Sequence, residues 1–289
     1  MNFLRYRYKL ILPAILLLVL VMIFPLVFSL RMSFFDYILS KPFHRPFVWF
    51  QNYKEVLTDT QFHNSVFVTL KFSFIALFFE MIVGFLLAYL LMKIPRFNNL
   101  YVSVLMIPMM ITPIAIGLIW RLLLHPDLGI VNYLLNLIGI GGKAWLGLKS
   151  TALGTIIFVE TWRSTPYVML ILYAALLSLP TEPYEAATID GASELQKIRY
   201  LTIPMLRPVL VVVSTLQLIY LFKTYDLVYI LTRGGPGIST ETLSYFIFRQ
   251  GFTNVDMGNA SAASYLIVVI VSLATTFLFF RLRGRKITR

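Results

Sequence analysis

Long apolar runs separated by short polar segments dominate the pattern of this chain. Six of the runs reach the roughly 20 residues that a helix needs to cross the hydrocarbon core of a bilayer, and they cover about residues 10–31, 67–92, 99–123, 152–179, 208–231 and 262–280. A helix satisfies its own backbone hydrogen bonds, which lipid cannot do, and the alternating segments of an outer-membrane barrel are absent. The pattern therefore predicts an all-α polytopic membrane protein. Because no long linker or repeat interrupts it, we expect residues 1–289 to form a single transmembrane domain.

The composition excludes a soluble domain and gives no indication of an enzyme. Hydrophobic residues make up 58% of the chain and charged residues 13%, with a mean hydropathy of +0.79, whereas soluble domains are about 25% charged. The chain has no cysteine, so disulfides and thiolate metal ligands are excluded. The three histidines, His44, His63 and His125, are scattered through polar loops. No catalytic grouping can be recognised, and we expect neither a metal site nor a catalytic site.

Basic residues are distributed unevenly between the two predicted sides of the membrane. If the amino terminus is cytoplasmic, the inner segments carry 13 of the 25 basic residues and the longer outer loops carry seven; the inner segments are 1–9, 93–98, 180–207 and 281–289. This asymmetry follows the positive-inside rule and predicts that both termini are cytoplasmic. The basic tail, Arg281–Arg289, is expected to meet anionic lipid headgroups. The net charge of +12 therefore does not indicate nucleic-acid binding.

Aromatic residues are frequent in the two longer outer loops, residues 32–66 and 124–151. One interpretation is an interfacial belt, in which aromatic rings lie at the level of the lipid headgroups. The other is a docking face for an external partner. The composition of the loops is compatible with both.

The segment between the fourth and fifth runs, residues 180–208, is polar and carries the signals of two short helices. A first helix is expected to begin near Pro183 and to end at Gly191, because glycine tolerates the left-handed conformation at a helix end. Ser193 and Gln196 have the spacing of a capping box and predict the start of a second helix. We call residues 180–208 the coupling segment, for the reason that follows.

The coupling segment resembles the EAA loop of ABC-importer permeases. Its Glu-Ala-Ala sequence is followed in register by Asp-Gly-Ala, Ile-Pro and Arg-Pro elements, so the pattern extends from residue 185 to residue 208. An ordinary amphipathic loop would share only the first three residues by chance. In that family the loop docks onto a separate ATPase subunit. The resemblance implies a type I ABC importer permease fold, with cytoplasmic coupling helices between transmembrane helices 4 and 5 and an ATPase-coupling site formed by Glu185, Ala186, Ala187, Asp190 and Gly191.

A second motif is similar to the sugar-permease branch of the same family, the large-permease type of maltose transporter. Residues 231–236 read Leu-Thr-Arg-Gly-Gly-Pro, and the glycines and proline also predict a turn at the outer end of the fifth span. Residues 51–53 and 245–263 resemble that branch as well, and the likeness covers nearly the whole chain. The resemblance implies that the transported solute is a carbohydrate.

Several charged residues lie within the predicted spans, where each is costly unless it faces protein or water. Glu160 and Arg163 are three residues apart and therefore share a helix face, and Lys223 repeats this spacing with Asp226. Each pair either neutralises itself or lines a water-filled cavity. Glu80 is expected to have a structural partner on another helix. In maltose-type permeases the corresponding parts of the fourth and fifth spans contact the sugar, which implies a substrate path along Glu160, Ser164, Gln217, Phe222 and Lys223.

These observations predict the permease subunit of a bacterial ABC importer, located in the cell membrane and forming half of a translocation pore. The resemblance implies four kinds of partner: a second homologous permease, two ATPase subunits, an extracytoplasmic binding protein and the carbohydrate that it delivers. Residues 139–143 resemble a phosphate loop but lack its first glycine and its final Ser or Thr. We therefore expect no catalytic activity and no cofactor in this chain, with ATP and Mg²⁺ on the partner ATPases. A permease for a non-sugar solute remains an alternative, and so does a secondary transporter, which should show inverted repeats with broken helices.

Overall fold

The computed structural model describes residues 3–41, 43–94 and 98–283. Within them the chain is helical and forms only isolated β-bridges, such as that between Phe35 and Phe47. The helices are α1 Phe3–Leu18, α2 Phe24–Met32, α3 Gln51–Thr58, α4 Thr60–Lys93, α5 Asn98–Met110, α6 Pro113–Leu123, α7 Ile130–Leu137, α8 Ala152–Leu177, α9 Glu182–Ile189, α10 Glu194–Lys197, α11 Ile203–Phe222, α12 Asp226–Leu231, α13 Leu243–Phe248 and α14 Met257–Arg283.

The helices account for the predicted spans. In the described residues, four helical stretches are long and apolar enough to cross a membrane by themselves, and the number rises to six if each of two bent helix pairs is counted as one span. The four stretches are Ile11–Met32, Thr60–Lys93, Glu194–Phe222 and Met257–Arg281. The all-α polytopic fold is therefore confirmed. The basic side chains of residues 1–9 and of the tail beyond 283 lie outside the described residues, so the predicted orientation of the termini stays a prediction.

Two π-helical segments precede prolines and keep long helices continuous. Val19–Ile23 joins α1 to α2 and ends two residues before Pro25, and Ile198–Thr202 joins α10 to α11 and ends two residues before Pro204. A proline has no N–H, and its ring clashes with the carbonyl four residues earlier. In the wider π-turn, Ile203 N–H bonds to Ile198 O instead. Each helix therefore passes its proline without a break.

The third predicted span is bent, although the sequence predicted one continuous helix over 99–123. The parts Asn99–Met110 and Pro113–Leu123 meet at 91°. Thr112 has an extended backbone, with φ −62° and ψ 144°, which is the conformation that a following proline imposes. Pro113 then starts α6 at the position where a missing N–H is tolerated.

The fifth predicted span, residues 208–231, begins earlier and ends earlier than expected. Helical structure is continuous from Glu194 to Phe222, so the second predicted helix of the coupling segment is the first part of this span. At the other end, Lys223 N–H bonds to Tyr220 O in an i→i−3 turn that closes α11, and α12 starts only at Asp226.

This break separates Lys223 from Asp226. Because the two residues no longer belong to one helix, they do not share a helix face, and no ion pair joins them among the described residues. Of the two interpretations of this pair, the self-neutralising contact is therefore wrong, and both residues instead line one small cavity of about 120 Å³. The Gly-Gly-Pro sequence does form the predicted turn, with positive φ at Gly234 (80°) and Gly237 (61°).

The chain divides into two compact units. The first consists of Met1–His63 and Phe246–Val269. Asn52, which belongs to the Gln-Asn-Tyr element noted in the sequence, is buried and donates hydrogen bonds to Ser33 O at 2.8 Å and to Phe35 O at 2.9 Å. This amide fixes the chain that leaves α2 against α3. The nearby Trp49 and Phe50 remain exposed, and both interpretations of the outer aromatic residues stay open.

The second unit, Asn64–Tyr245 with Ile270–Arg289, contains both hydrophobic cores. One core is formed mainly by α4, α8, α11 and α12, and the other by the last part of α4, the second half of α8 and the first half of α11. The helices approach closely at glycines. A Cβ on Gly84 of α4 would lie 2.8 Å from Val168 Cγ1 of α8, so only glycine fits this crossing without displacement.

Candidate functional sites: the coupling segment and a buried polar cluster

The coupling segment begins with α9, which ends in a complete glycine cap. Gly191 has φ +76°, and its N–H bonds to Thr188 O while Ala192 N–H bonds to Ala187 O. This pair of bonds is the Schellman motif that satisfies the last carbonyls of a helix. Ser193 and Gln196 then form the predicted capping box. The sequence signals for both helix boundaries are therefore confirmed.

The predicted ATPase-coupling residues lie together on the surface of α9 and its cap. Glu185, Ala186, Asp190 and Gly191 are exposed, and Ala187 is half-buried. A concavity of about 360 Å³ lies beside them, lined by Ala187, Asp190, Gly191, Ala192, Gln196, Lys197, Tyr200 and Leu201. Its small side chains leave room for an inserted group.

Large apolar side chains are exposed on the coupling segment, and one of them, Tyr200, lines this concavity. Ile189 is 87% exposed, Leu195 75% and Tyr200 65%. Exposed apolar groups on a polar segment mark an interaction surface when they are contiguous. The segment itself is held firmly, because Tyr184 Oη donates to Thr202 Oγ1 at 3.0 Å and so joins α9 to the base of the long helix. The coupling segment is therefore a fixed element with an uncovered face.

The second site is a polar cluster buried between α4, α8 and α11. Glu160 is fully buried and accepts two bonds from Arg163, at 2.5 Å from Nη2 and at 3.3 Å from Nε. Ser164 Oγ donates to Glu160 Oε1 at 2.6 Å, and the phenol of Tyr220 also contacts Arg163 Nη2. The predicted neutralising pair of Glu160 and Arg163 is therefore present. Its charges are satisfied inside the protein.

Glu80 lies beside this pair without a hydrogen bond of its own. The residue is fully buried, and its neighbours Glu160 and Arg163 are on α8 and Gln217 is on α11. Neither carboxylate oxygen of Glu80 nor Nε2 of Gln217 has a partner in hydrogen-bond geometry. The expected partner across helices is thus present as a neighbour but not as a bonded group.

The predicted path residues are divided between two cavities and the core. Ser164 and Gln217 line a cavity of about 320 Å³ together with Met109, Arg163, Tyr167, Leu216 and Tyr220. Glu160 and Lys223 line a smaller one of about 120 Å³, which Tyr220 also borders. Phe222 is fully buried in the apolar core and borders neither cavity.

Sequence reasoning left Arg163 and Tyr220 out of the path, although both face a cavity. Their sequence spacing from two predicted path residues could have identified both. Arg163 follows Glu160 by three positions, and Tyr220 follows Gln217 by three, which places each on the helix face of a predicted path residue.

Comparisons with known proteins identify the family of this chain. Residues 80–289 match the family model described as "Binding-protein-dependent transport system inner membrane component". The chain is similar to a probable ABC transporter permease protein of Sinorhizobium fredii, with 37% identity over 96% of this chain and 90% of the relative. It is also similar to the trehalose/maltose transport system permease protein MalF of Thermococcus litoralis, with 32% identity over 96% of this chain and 95% of the relative.

The fold is similar to a solved structure as well. A chain of a bacterial ABC transporter involved in the import of the acidic polysaccharide alginate superposes with a TM-score of 0.85, covering 100% of this chain and 97% of that chain at 22% sequence identity. At this identity the likeness establishes the fold.

Proposed function

Because this chain belongs to the family of binding-protein-dependent transport system inner membrane components, we propose that it is the permease subunit of a bacterial ABC importer for a carbohydrate. In this proposal it forms half of the translocation pore, and a second homologous permease forms the other half. Two ATPase subunits hold ATP and Mg²⁺ and supply the energy, and an extracytoplasmic binding protein delivers the solute. The chain lies in the bacterial cell membrane with both termini in the cytoplasm. Its own role is conduction and coupling, without covalent chemistry.

The uncovered face of the coupling segment carries the proposal. Tyr200 lines a concavity bordered by small residues, and Ile189 and Leu195 are exposed apolar residues of the same segment. An isolated permease gains nothing from this exposure, whereas an ATPase that covers the face would bury it. Glu185 and Asp190, both exposed on α9 and its end, give the same face acidic groups that can select a basic partner surface.

The larger polar cavity supports a carbohydrate as the solute. A sugar is recognised by groups that donate and accept hydrogen bonds around its rim and by aromatic faces on its apolar side. Ser164, Gln217 and the phenols of Tyr167 and Tyr220 supply these groups. The only full positive charge of the cavity lining, Arg163, is neutralised by Glu160. A trehalose/maltose permease among the relatives is consistent with this class of solute.

The proposed cycle couples two global states. ATP binding closes the ATPases, and their movement passes through α9 to the helix that begins at Glu194. The permease pair then changes between inward-open and outward-open states, a population shift driven by the different affinity of each state for nucleotide and for the loaded binding protein.

Co-purification tests the docking proposal. The complex is extracted in mild detergent from membranes of the source bacterium carrying a tagged copy of this chain. The wild-type chain should retain an ATPase, and Glu185→Arg should release it, because a bulky cation then replaces an exposed carboxylate of the docking face. Asp127→Arg, at an exposed residue outside the coupling segment, is the matched control. Retention of the ATPase by the Glu185 variant and its absence from the wild-type preparation would each contradict the proposal.

Solute-stimulated ATP hydrolysis tests the carbohydrate. The complex is reconstituted with its binding protein and exposed to neutral sugars, polyol phosphates and amino acids. A neutral sugar should stimulate hydrolysis most strongly. Stimulation by amino acids alone would refute the assignment.

An anionic polyol is the second candidate, because Lys223 is exposed at the smaller cavity and forms no ion pair within the part of the chain that the structure describes. The Lys223→Gln variant distinguishes a neutral sugar from an anionic polyol as the solute. It should leave transport of a neutral sugar largely unchanged and should strongly reduce transport of an anionic solute.

A further inference from the structure

One carboxylate, that of Glu194, joins three elements of the second unit at the base of the coupling segment. Tyr89 Oη of α4 donates to Glu194 Oε2 at 2.7 Å, and Lys93 Nζ, at the end of α4, forms an ion pair with the same oxygen. Lys197 Nζ donates to Glu194 Oε1 at 3.2 Å and to Thr188 Oγ1 of α9 at 2.9 Å. We call these five residues the Glu194 junction.

The junction lies where the coupling segment meets two spans. Glu194 is the first residue of α10, directly after the capping box at Ser193, and helical structure then continues without a break to Phe222. The same helix is tied to α9 a second time by the bond between Tyr184 and Thr202. The junction links this assembly to α4, through the bonds of Tyr89 and Lys93 with Glu194 at the inner end. Displacement of α9 can therefore reach α4 through Glu194.

The junction contributes little to folding stability, since the side chains of Lys93 and Glu194 are 45% and 55% exposed and exposed ion pairs are weak. Three donors from two helices on one carboxylate nevertheless fix a relative orientation. The ring of Tyr89 also lies 4.9 Å from Lys93 Nζ, which holds the ammonium beside the carboxylate. The Glu194 junction is therefore better suited to fixing the orientation of α4 relative to α10 than to stabilising the fold.

We propose that Glu194 is a positioning residue that holds the inner end of α4 and the base of the long helix together as one body throughout the transport cycle. Movement of α9 then acts on both spans at once instead of on the long helix alone. This inference depends on the proposed function, because it requires an ATPase that moves α9. It assigns to Glu194 no contact with the ATPase and none with the solute.

The test measures solute transported per ATP hydrolysed in proteoliposomes that contain the complete importer. Glu194→Gln removes the charge but keeps the shape of the side chain. The ATPase should remain bound, and the transport ratio should fall by about fivefold, within the range of roughly 2- to 30-fold by which residues between coupled sites modulate coupling. Asp127→Asn, the same chemical change at an exposed carboxylate outside the junction, should leave the ratio unchanged.

A cross-link distinguishes positioning from other roles. The natural chain has no cysteine, so Lys93→Cys with Glu194→Cys places the only two thiols of this subunit at the junction. Before treatment this variant should show the same low ratio as Glu194→Gln, and a short bifunctional maleimide should restore most of it by joining α4 to α10 again. The partner subunits are used in cysteine-free form, and a single Lys93→Cys variant controls for modification alone.

The outcomes separate the two proposals. A wild-type complex without an ATPase would refute the proposed function. If the ATPase is bound, an unchanged ratio in Glu194→Gln overturns the inference. A cross-link that fails to restore the ratio, or that stops transport, also overturns it, because the two elements would then not move as one body.

Discussion

Removal of Arg163 should destabilise the protein far more than removal of the whole buried pair. Arg163→Met takes away both bonds to Glu160 and leaves that fully buried carboxylate with Ser164 as its one remaining side-chain donor among the described residues. Breaking a buried ion pair by removing one partner costs about 3–5 kcal/mol, because the other charge remains desolvated. At roughly 2–4 °C per kcal/mol for a chain of this size class, the midpoint of thermal unfolding should fall by about 10 °C.

The double variant Glu160→Gln with Arg163→Met provides the decisive comparison. Both charges are absent, so the remaining cost is the loss of hydrogen bonds, each worth about 1 kcal/mol, and most of the lost stability should return. Arg163→Lys keeps the positive charge but not the bidentate geometry of the guanidinium, so its thermal midpoint should lie between those of the wild type and Arg163→Met. Thermal unfolding of the detergent-purified complex, followed by fluorescence-detected gel filtration, measures all three. The reasoning would be refuted if the double variant were as unstable as Arg163→Met.

This comparison also decides how transport defects at Glu160 are interpreted. Glu160 was predicted from the sequence to line the substrate path, and it does border a small cavity. Its carboxylate is nevertheless engaged by Arg163 and Ser164. Loss of transport in Glu160→Ala therefore reports a solute contact only if the thermal midpoint is unchanged.

Three further substitutions test the helix crossing, the coupling segment and the polar cavity. Gly84→Ala should lower the thermal midpoint, because its Cβ would lie 2.8 Å from Val168 Cγ1, whereas Gly154→Ala on α8 has open space and should not. Gly191→Ala and Gly139→Ala both place alanine at positive φ, at a cost of about 1–2 kcal/mol, but only the former should reduce ATPase co-purification, since only Gly191 ends α9. Gln217→Met should lower sugar-stimulated ATP hydrolysis, because the variant lacks the amide that lines the larger polar cavity; equal stimulation in wild type and variant would remove Gln217 from the path.

Local signals in the sequence predicted the spans and the coupling segment well. Apolar runs identify helices in lipid because no other spanning structure satisfies the backbone, and the capping box and Gly191 fix helix boundaries through bonds between near neighbours. Pro113 was a local signal for the 91° bend, but it was overlooked because the apolar run continues through this proline. A helix can continue past a proline, as it does at Pro204, or it can bend sharply before the proline, as it does at Pro113.

The polar cluster could not be predicted in the same way. Glu80, Glu160 and Gln217 come from three helices, and their proximity is set by the packing of α4, α8 and α11. A single sequence contains the residue types but not the distances between them. The end of α11 at Phe222 was also missed. Apolar residues in 223–231 gave the appearance of a continuing span, whereas two i→i−3 bonds close the helix before this segment.

The unbroken helix from Glu194 to Phe222 has a mechanical consequence. Its 29 residues correspond to about 43 Å at 1.5 Å per residue, so a tilt of about 5° at the end next to α9 would shift the opposite end by about 4 Å. A displacement of that size exceeds the diameter of a water molecule. In the proposed importer, a small rocking movement driven by the ATPase would thus be enough to open or close the pore at the far end of this helix, with no loss of helical structure along the way.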